Sequence, residues 1–92
     1  MERIVPVVPE DGLHARPASA FVSTAGEFDA EITVAPADGK KEPVRGDSML
    51  AVTGLAVTGG EQVRITAEGP DAEAALDALE TLLGKPAEEI DD

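Results

Sequence analysis

The segment at residues 70–83 constrains the fold more than any other part of the chain, because its apolar side chains recur at helical spacing. Pro70 is predicted at the first helical position, with Asp71 in the first turn, and residues 84–86 end the helix. The apolar stripe consists of Ala72, Ala75, Leu76, Leu79, Leu82 and Leu83. A helix with one apolar stripe must bury it against a second layer of secondary structure, which the rest of the chain has to supply.

Four short segments have the composition or the alternation of β-strands and can supply a sheet. They cover residues 3–8, residues 30–35, a few residues near Val44, and residues 61–67. Asp38 and Gly39 form a typical hairpin signal ahead of the short strand near Val44. Pro6 cannot donate a hydrogen bond to a neighbouring strand, so we expect the first strand at a sheet edge or at a bulge.

Two further helices complete the predicted fold. A long one runs from about Arg16 to Ala25, and a short one follows the N-cap signal at Asp47 and Ser48. Both long helices have one apolar stripe, so both are expected on the same sheet face. The predicted fold class is α+β: a two-layer open-faced sandwich in the order β-α-β-β-α-β-α. Its four-stranded antiparallel sheet carries two long helices and one short helix on one face.

Length and composition exclude several classes of protein. A chain of 92 residues suits one domain, which we expect at residues 1–84, with residues 85–92 as a short acidic tail that frays from Glu88 onward. The chain has no cysteine and one histidine, so we expect no disulfide, no metal and no cofactor. No apolar run approaches the length of a membrane span and the N-terminus is too short for a signal peptide, which favours a cytoplasmic location.

The charge balance excludes polyanionic partners. Nineteen acidic and seven basic residues give a formal net charge of −12. Such a surface repels nucleic acid and anionic membranes, so we expect no nucleic-acid partner and no direct membrane binding. Because salt screens the self-repulsion of so many like charges, the composition favours a halophilic source.

Residues 12–18, which read GLHARPA, hold the only groups suited to covalent chemistry. The neutral imidazole of His14 is a good nucleophile, and a phosphoryl group on a ring nitrogen is labile enough to be passed on. The helix predicted after it has no Ser, Thr, Asn or Asp at its cap, so the amides of Ala15 and Arg16 are free to bind a phosphate. The Arg16 guanidinium can add charge-assisted hydrogen bonds.

This segment resembles the active-site signature of the HPr family, the histidine-containing phosphocarriers of the sugar phosphotransferase system. The resemblance covers residues 1 to about 84 and the order of elements. It implies that His14 takes a phosphoryl group at Nδ1 from phosphorylated Enzyme I and passes it to the A domain of an Enzyme II. Ala15, Arg16 and Pro17 would stabilise the phosphate. Such a protein is a carrier and not an enzyme, and we expect it to be a monomer.

The resemblance also implies a docking surface on the first long helix and the short helix. We call it the docking surface, and it consists of Ser19, Val22, Met49, Leu50 and Thr53. By apolar character alone, Val22 and Leu50 could equally belong to the core. Residues 47–55 resemble the family's regulatory-serine region more loosely, which makes Ser48 a possible phosphorylation site; a simple helix cap at Asp47 or Ser48 explains the same residues.

The chain departs from the family pattern in three places. Asp11 stands near His14, where a neutral polar residue is more usual. A carboxylate facing the imidazole would disfavour an added phosphate, whereas an outward-pointing side chain, the more usual case for an acid in a loop, would have no such effect. The first helix lacks the lysines that often meet an acidic partner, and the hairpin at residues 36–43 is longer than expected.

The sequence leaves three alternatives to sugar uptake. The same chemistry could serve a dihydroxyacetone kinase relay or a regulatory nitrogen-type branch. A regulatory binding module without phosphoryl transfer is disfavoured, because such relatives tend to lose the histidine that this chain keeps. A stand-alone enzyme is disfavoured because no carboxylate–histidine pair or nucleotide-binding loop is present.

Overall fold

The chain folds into one antiparallel sheet covered by helices, which confirms the predicted α+β class. The computed structural model describes residues 1–90. In chain order the elements are β1 (Glu2–Pro6), α1 (Ala15–Gly26), β2 (Glu31–Pro36), β3 (Val44–Arg45), α2 (Met49–Gly54), β4 (Gln62–Glu68) and α3 (Ala72–Leu83), followed by a 3-10 turn at Ala87–Glu89.

The sheet has the strand order β1-β4-β2-β3, and every neighbouring pair is antiparallel. Pro6 lies at the end of β1, opposite Gln62, and β1 is an edge strand, as its missing donor predicts. The opposite edge is β3, whose two residues pair only with Thr33 and Val34 of β2.

All three helices pack on the same face of the sheet, where the apolar residues of the alternating strands point. The core joins Phe21 of α1, Val52 of α2 and Leu79 of α3 to Val63 and Ile65 of β4, all fully buried. On the other face, Gln62 is exposed, and Arg64 and Thr66 are half-buried, so this face meets solvent. No helix within residues 1–90 is long and apolar enough to cross a membrane.

The start of α3 differs from the prediction that placed Pro70 at its first position. The helix begins at Ala72, and Asp71 lies at its N-cap without making a side-chain capping bond. The Asp71 carboxylate instead accepts a hydrogen bond from the backbone amide of Asp29 at 2.8 Å. Pro70 lies in a preceding turn closed by a 3.2 Å bond from the Ala72 amide to the Gly69 carbonyl.

The C-terminal segment is also more ordered than predicted. Residues 87–89 form a 3-10 turn, and the side chain of Ile90 is only 1% exposed. The expectation that the tail frays from Glu88 is therefore wrong as far as Ile90, because burial of this apolar side chain holds the segment on the domain. Asp91 and Asp92, the rest of the predicted tail, lie outside the described residues.

Candidate functional site

His14 is exposed at the N-cap of α1, and the loop before it holds it there. Leu13 is fully buried, and its amide donates a 3.0 Å hydrogen bond to the carbonyl of Val57. Gly12 makes this approach possible, since it has a φ of +71° and a Cβ at this position would lie 1.9 Å from the Val57 oxygen. The loop thus presents the imidazole to solvent from a fixed backbone.

The N-terminus of α1 has unpaired backbone donors beside His14. The His14 side chain makes no capping hydrogen bond, as the sequence predicted from the absence of a capping residue. The amides of Ala15 and Arg16 therefore precede the first intrahelical bond and carry the positive end of the helix dipole. Pro17 is buried in the first turn and has no amide to contribute.

Ala15 has a backbone conformation that the sequence did not indicate. Its φ is +50°, in the left-handed region, which costs an L-residue about 1–2 kcal/mol. Strain of this kind in a non-glycine residue is concentrated at functional sites. Alanine gives no sequence signal for it, because glycine or asparagine is the usual residue in this region.

Arg16 differs from the other arginines in its ion pairing within the described part of the chain. Among residues 1–90 it forms no ion pair, although the other three arginines each pair with a carboxylate. Those contacts measure 2.6 Å for Arg3, 2.9 Å for Arg45 and 3.8 Å for Arg64. An exposed, unpaired guanidinium two residues after an exposed histidine is suited to binding an anion held on that histidine.

A groove of about 480 Å³ runs beside Arg16, between the loop at residues 10–17 and the C-terminal turn at residues 86–88. Its lining includes three acidic residues, Glu10, Asp11 and Glu88. Sequence reasoning did not place the C-terminal segment next to the site. The signal for it was Ile90, an apolar residue after two acidic ones that needed a place to be buried.

The docking surface is brought together by the contact between α1 and α2. Leu50 is 85% exposed and Met49 is 41% exposed, so neither belongs to the core. Val22 is half-buried and packs against the core, while Ser19 and Thr53 are half-buried. Large exposed apolar side chains next to an exposed reactive group are typical of a partner-binding surface.

Ser48, and not Asp47, caps α2. The Ser48 hydroxyl accepts a 3.3 Å hydrogen bond from the Ala51 amide. The carboxylate of Asp47 instead accepts two hydrogen bonds from Arg45, at 2.9 and 3.0 Å, which lower its pKa. The cap interpretation therefore accounts for the serine, and its phosphorylation stays a prediction.

The comparisons with known proteins agree on one family. A family model described as the PTS HPr component phosphorylation site matches residues 1–85. The phosphocarrier protein HPr of the halophile Haloferax volcanii is 63% identical over 86 residues, which cover 94% of this chain and 96% of that protein. Two solved structures from Thermoanaerobacter tengcongensis are similar. HPr-C-His has a TM-score of 0.84 and 36% identity and covers 91% of both chains. An HPr dimer has a TM-score of 0.70 and 40% identity and covers 79% of this chain and 80% of that one.

Proposed function

Because this chain belongs to the HPr family, it is a phosphocarrier protein of the phosphotransferase system and not an enzyme, and we propose that His14 carries its phosphoryl group. In this proposal a phosphorylated Enzyme I is the donor and the A domain of an Enzyme II is the acceptor. The lone pair of the neutral imidazole Nδ1 forms a bond to phosphorus as the donor's bond to phosphorus breaks, and the donor keeps that electron pair. In the second transfer a nucleophile of the acceptor forms the bond to phosphorus as the bond from Nδ1 to phosphorus breaks, and Nδ1 keeps that electron pair.

The observation that carries the proposal is the combination of an exposed histidine, a helix N-terminus without a side-chain cap and an arginine that forms no ion pair among residues 1–90. Phosphoryl transfer needs positioning and charge stabilisation more than covalent help from the protein. In the proposed complex the amides of Ala15 and Arg16 and the Arg16 guanidinium would bind the phosphoryl oxygens, with Pro17 fixing the start of the helix. All of these groups lie within four consecutive residues, so a change of partner does not disturb them.

The docking surface is proposed to receive both partners in turn. Leu50 and Met49 would supply the apolar centre, and Ser19, Val22 and Thr53 would surround it. Because α1 carries no lysine, apolar contact would contribute more to this docking than ion pairing does. We propose that the carrier is a cytoplasmic monomer. Light scattering on the purified protein gives its molecular mass in solution and distinguishes a monomer from a dimer like that of the Thermoanaerobacter tengcongensis relative.

The test is intact-mass analysis after incubation with Enzyme I, phosphoenolpyruvate and magnesium. We expect one acid-labile phosphate on the natural chain and none on His14→Ala. Arg16→Gln should accept phosphate more slowly and lose it faster, while Arg64→Gln, which removes an arginine from β4 on the solvent face of the sheet, should behave as the natural chain does. Phosphate on His14→Ala, or none on the natural chain with an Enzyme I of matching origin, would contradict the assignment of His14.

The branch of the system is tested by the acceptor. We propose sugar uptake, in which the phosphorylated chain loses its phosphate to an Enzyme II A domain. Transfer to a dihydroxyacetone kinase subunit or to a nitrogen-type component, and not to a sugar-specific domain, would reassign the pathway and leave the role of His14 unchanged.

A further inference from the structure

The long hairpin between β2 and β3 contacts the C-terminal end of α2, one of the two helices of the docking surface. The Nζ atom of Lys41 donates a 2.8 Å hydrogen bond to the backbone carbonyl of Leu55. Leu55 is the C-cap residue of α2, the helix that presents Met49 and Leu50. The hairpin therefore holds the C-terminal end of α2, whose first two residues, Met49 and Leu50, carry the exposed apolar side chains.

This contact matters because α2 has little stability of its own. A helix of six residues is far shorter than one that is stable in isolation. The carbonyls at its C-terminus carry partial negative charge and have no intrahelical partner, and α2 has no basic residue in its last turn. Lys41 supplies the missing positive charge from another element.

The same stretch of chain also holds the loop that presents His14. After Leu55 the backbone turns at Ala56, which has a φ of +55°. The residue after this turn is Val57, whose carbonyl accepts the hydrogen bond from the Leu13 amide. Leu55 and Val57 are both buried. The Lys41 contact and the Leu13 contact therefore lie two residues apart on one connection, which buried side chains hold on both sides of the exposed Ala56.

We propose that Lys41 is a positioning residue for phosphoryl transfer. By holding the Leu55 carbonyl, it fixes α2 relative to the loop of His14, so that a partner docked on Met49 and Leu50 meets the imidazole in a set geometry. This inference rests on the proposed function, since it concerns the same transfer. It assigns to the hairpin a role that needs no direct contact with the partner.

The chain offers a matched control in Lys40. It is exposed, it is adjacent to Lys41, and its side chain makes no hydrogen bond or ion pair among residues 1–90. Lys40→Gln and Lys41→Gln remove the same charge from the same hairpin. Lys41→Arg keeps a cationic donor and serves as the conservative variant.

The experiment measures phosphoryl transfer from Enzyme I as a function of carrier concentration, together with amide hydrogen exchange. For Lys41→Gln we expect the KM to rise about five-fold, the effect of losing one hydrogen bond of ordinary net strength, with kcat within two-fold. The amides of Leu55 and Ala56, which close the last turn of α2, should exchange faster. Lys40→Gln should match the natural chain, and Lys41→Arg should recover most of the loss.

Equal KM values and equal exchange for Lys40→Gln and Lys41→Gln would overturn the inference, and so would an equal rise in both, which would reflect charge alone. A natural chain that accepts no phosphate would instead overturn the proposed function. The exchange measurement distinguishes these failures, because it needs no phosphoryl transfer.

Discussion

Replacing Gly12 with alanine should separate the His14 loop from the connection that supports it. A Cβ at this position would lie 1.9 Å from the Val57 oxygen and 2.6 Å from the Thr58 Cα, where real Cβ contacts stay beyond 3.0 Å. Both neighbours are backbone atoms, so no side-chain rotation can relieve the overlap. The two segments must move apart by about 1 Å, which breaks the bond between the Leu13 amide and the Val57 carbonyl.

Three contributions set the expected loss in the free energy of unfolding. An alanine at a φ of +71° costs about 1 kcal/mol. The lost hydrogen bond leaves two buried polar groups without partners and costs about 1 kcal/mol or slightly more. Partial exposure of Leu13, which is fully buried, adds about 1 kcal/mol. Together these predict a loss of about 3–4 kcal/mol, a large fraction of the stability of a small domain.

Gly39 provides the matched control. Its φ of +77° is close to that of Gly12, but a Cβ there would meet nothing within 4 Å. Gly39→Ala should therefore lower the free energy of unfolding only by the cost of an alanine in the left-handed region, about 1 kcal/mol. Urea unfolding in molar KCl compares the two variants at constant m-value. Equal losses for Gly12→Ala and Gly39→Ala would refute the argument that close packing, and not φ alone, requires the glycine.

Three further predictions concern stability. Ala56→Gly should raise the free energy of unfolding by about 0.5–1 kcal/mol, because glycine relieves the strain of a φ of +55°, whereas Ala51→Gly inside α2 should lower it by about as much, both measured by urea unfolding. Hydrogen bonds from the Thr58 hydroxyl and amide lower the pKa of Glu61. The stabilisation of the fold by this carboxylate is therefore present above the ordinary pKa of 4.5 and is lost as the pH falls through the lowered pKa. Glu61→Gln should have a lower free energy of unfolding than the control Glu42→Gln at neutral pH, and this difference should disappear in acid. The melting temperature should rise from dilute to molar KCl, since screening relieves the repulsion of a net charge of −12, and an unchanged melting temperature would contradict the halophilic assignment.

The sequence predicted the strands and long helices well because their signals are local. Alternation at Ile32 and Val34, and again at Val63 and Ile65, places these side chains on one face whatever the rest of the chain does. All four are buried in the structure. The start of α1 lies within a residue of its prediction, because Pro17 restricts the backbone just before it.

Features that depend on distant partners were beyond the sequence. The Asp71 carboxylate leaves the helix cap because it binds the amide of Asp29, 42 residues away in the chain. The choice between Asp47 and Ser48 as the cap of α2 involves a nearer partner, since Arg45 binds the Asp47 carboxylate while the Ser48 hydroxyl accepts the bond from the Ala51 amide. The left-handed conformation of Ala15 has no signal in its side chain.

The surroundings of Arg16 fit the requirement that a carrier bind its phosphoryl group only moderately. In a chain with 19 acidic and seven basic residues, the other three arginines each pair with a carboxylate, and an ion pair at Arg16 would compete with phosphate for the same donors. Arg16 forms no such pair among the described residues, yet Glu10, Asp11 and Glu88 line the groove beside it. In the proposed role the guanidinium and the helix amides would stabilise the phosphoryl group, while the three carboxylates would repel its charge. Binding by the first set alone would hold the group tightly on His14, and repulsion by the second would favour its transfer to the next protein.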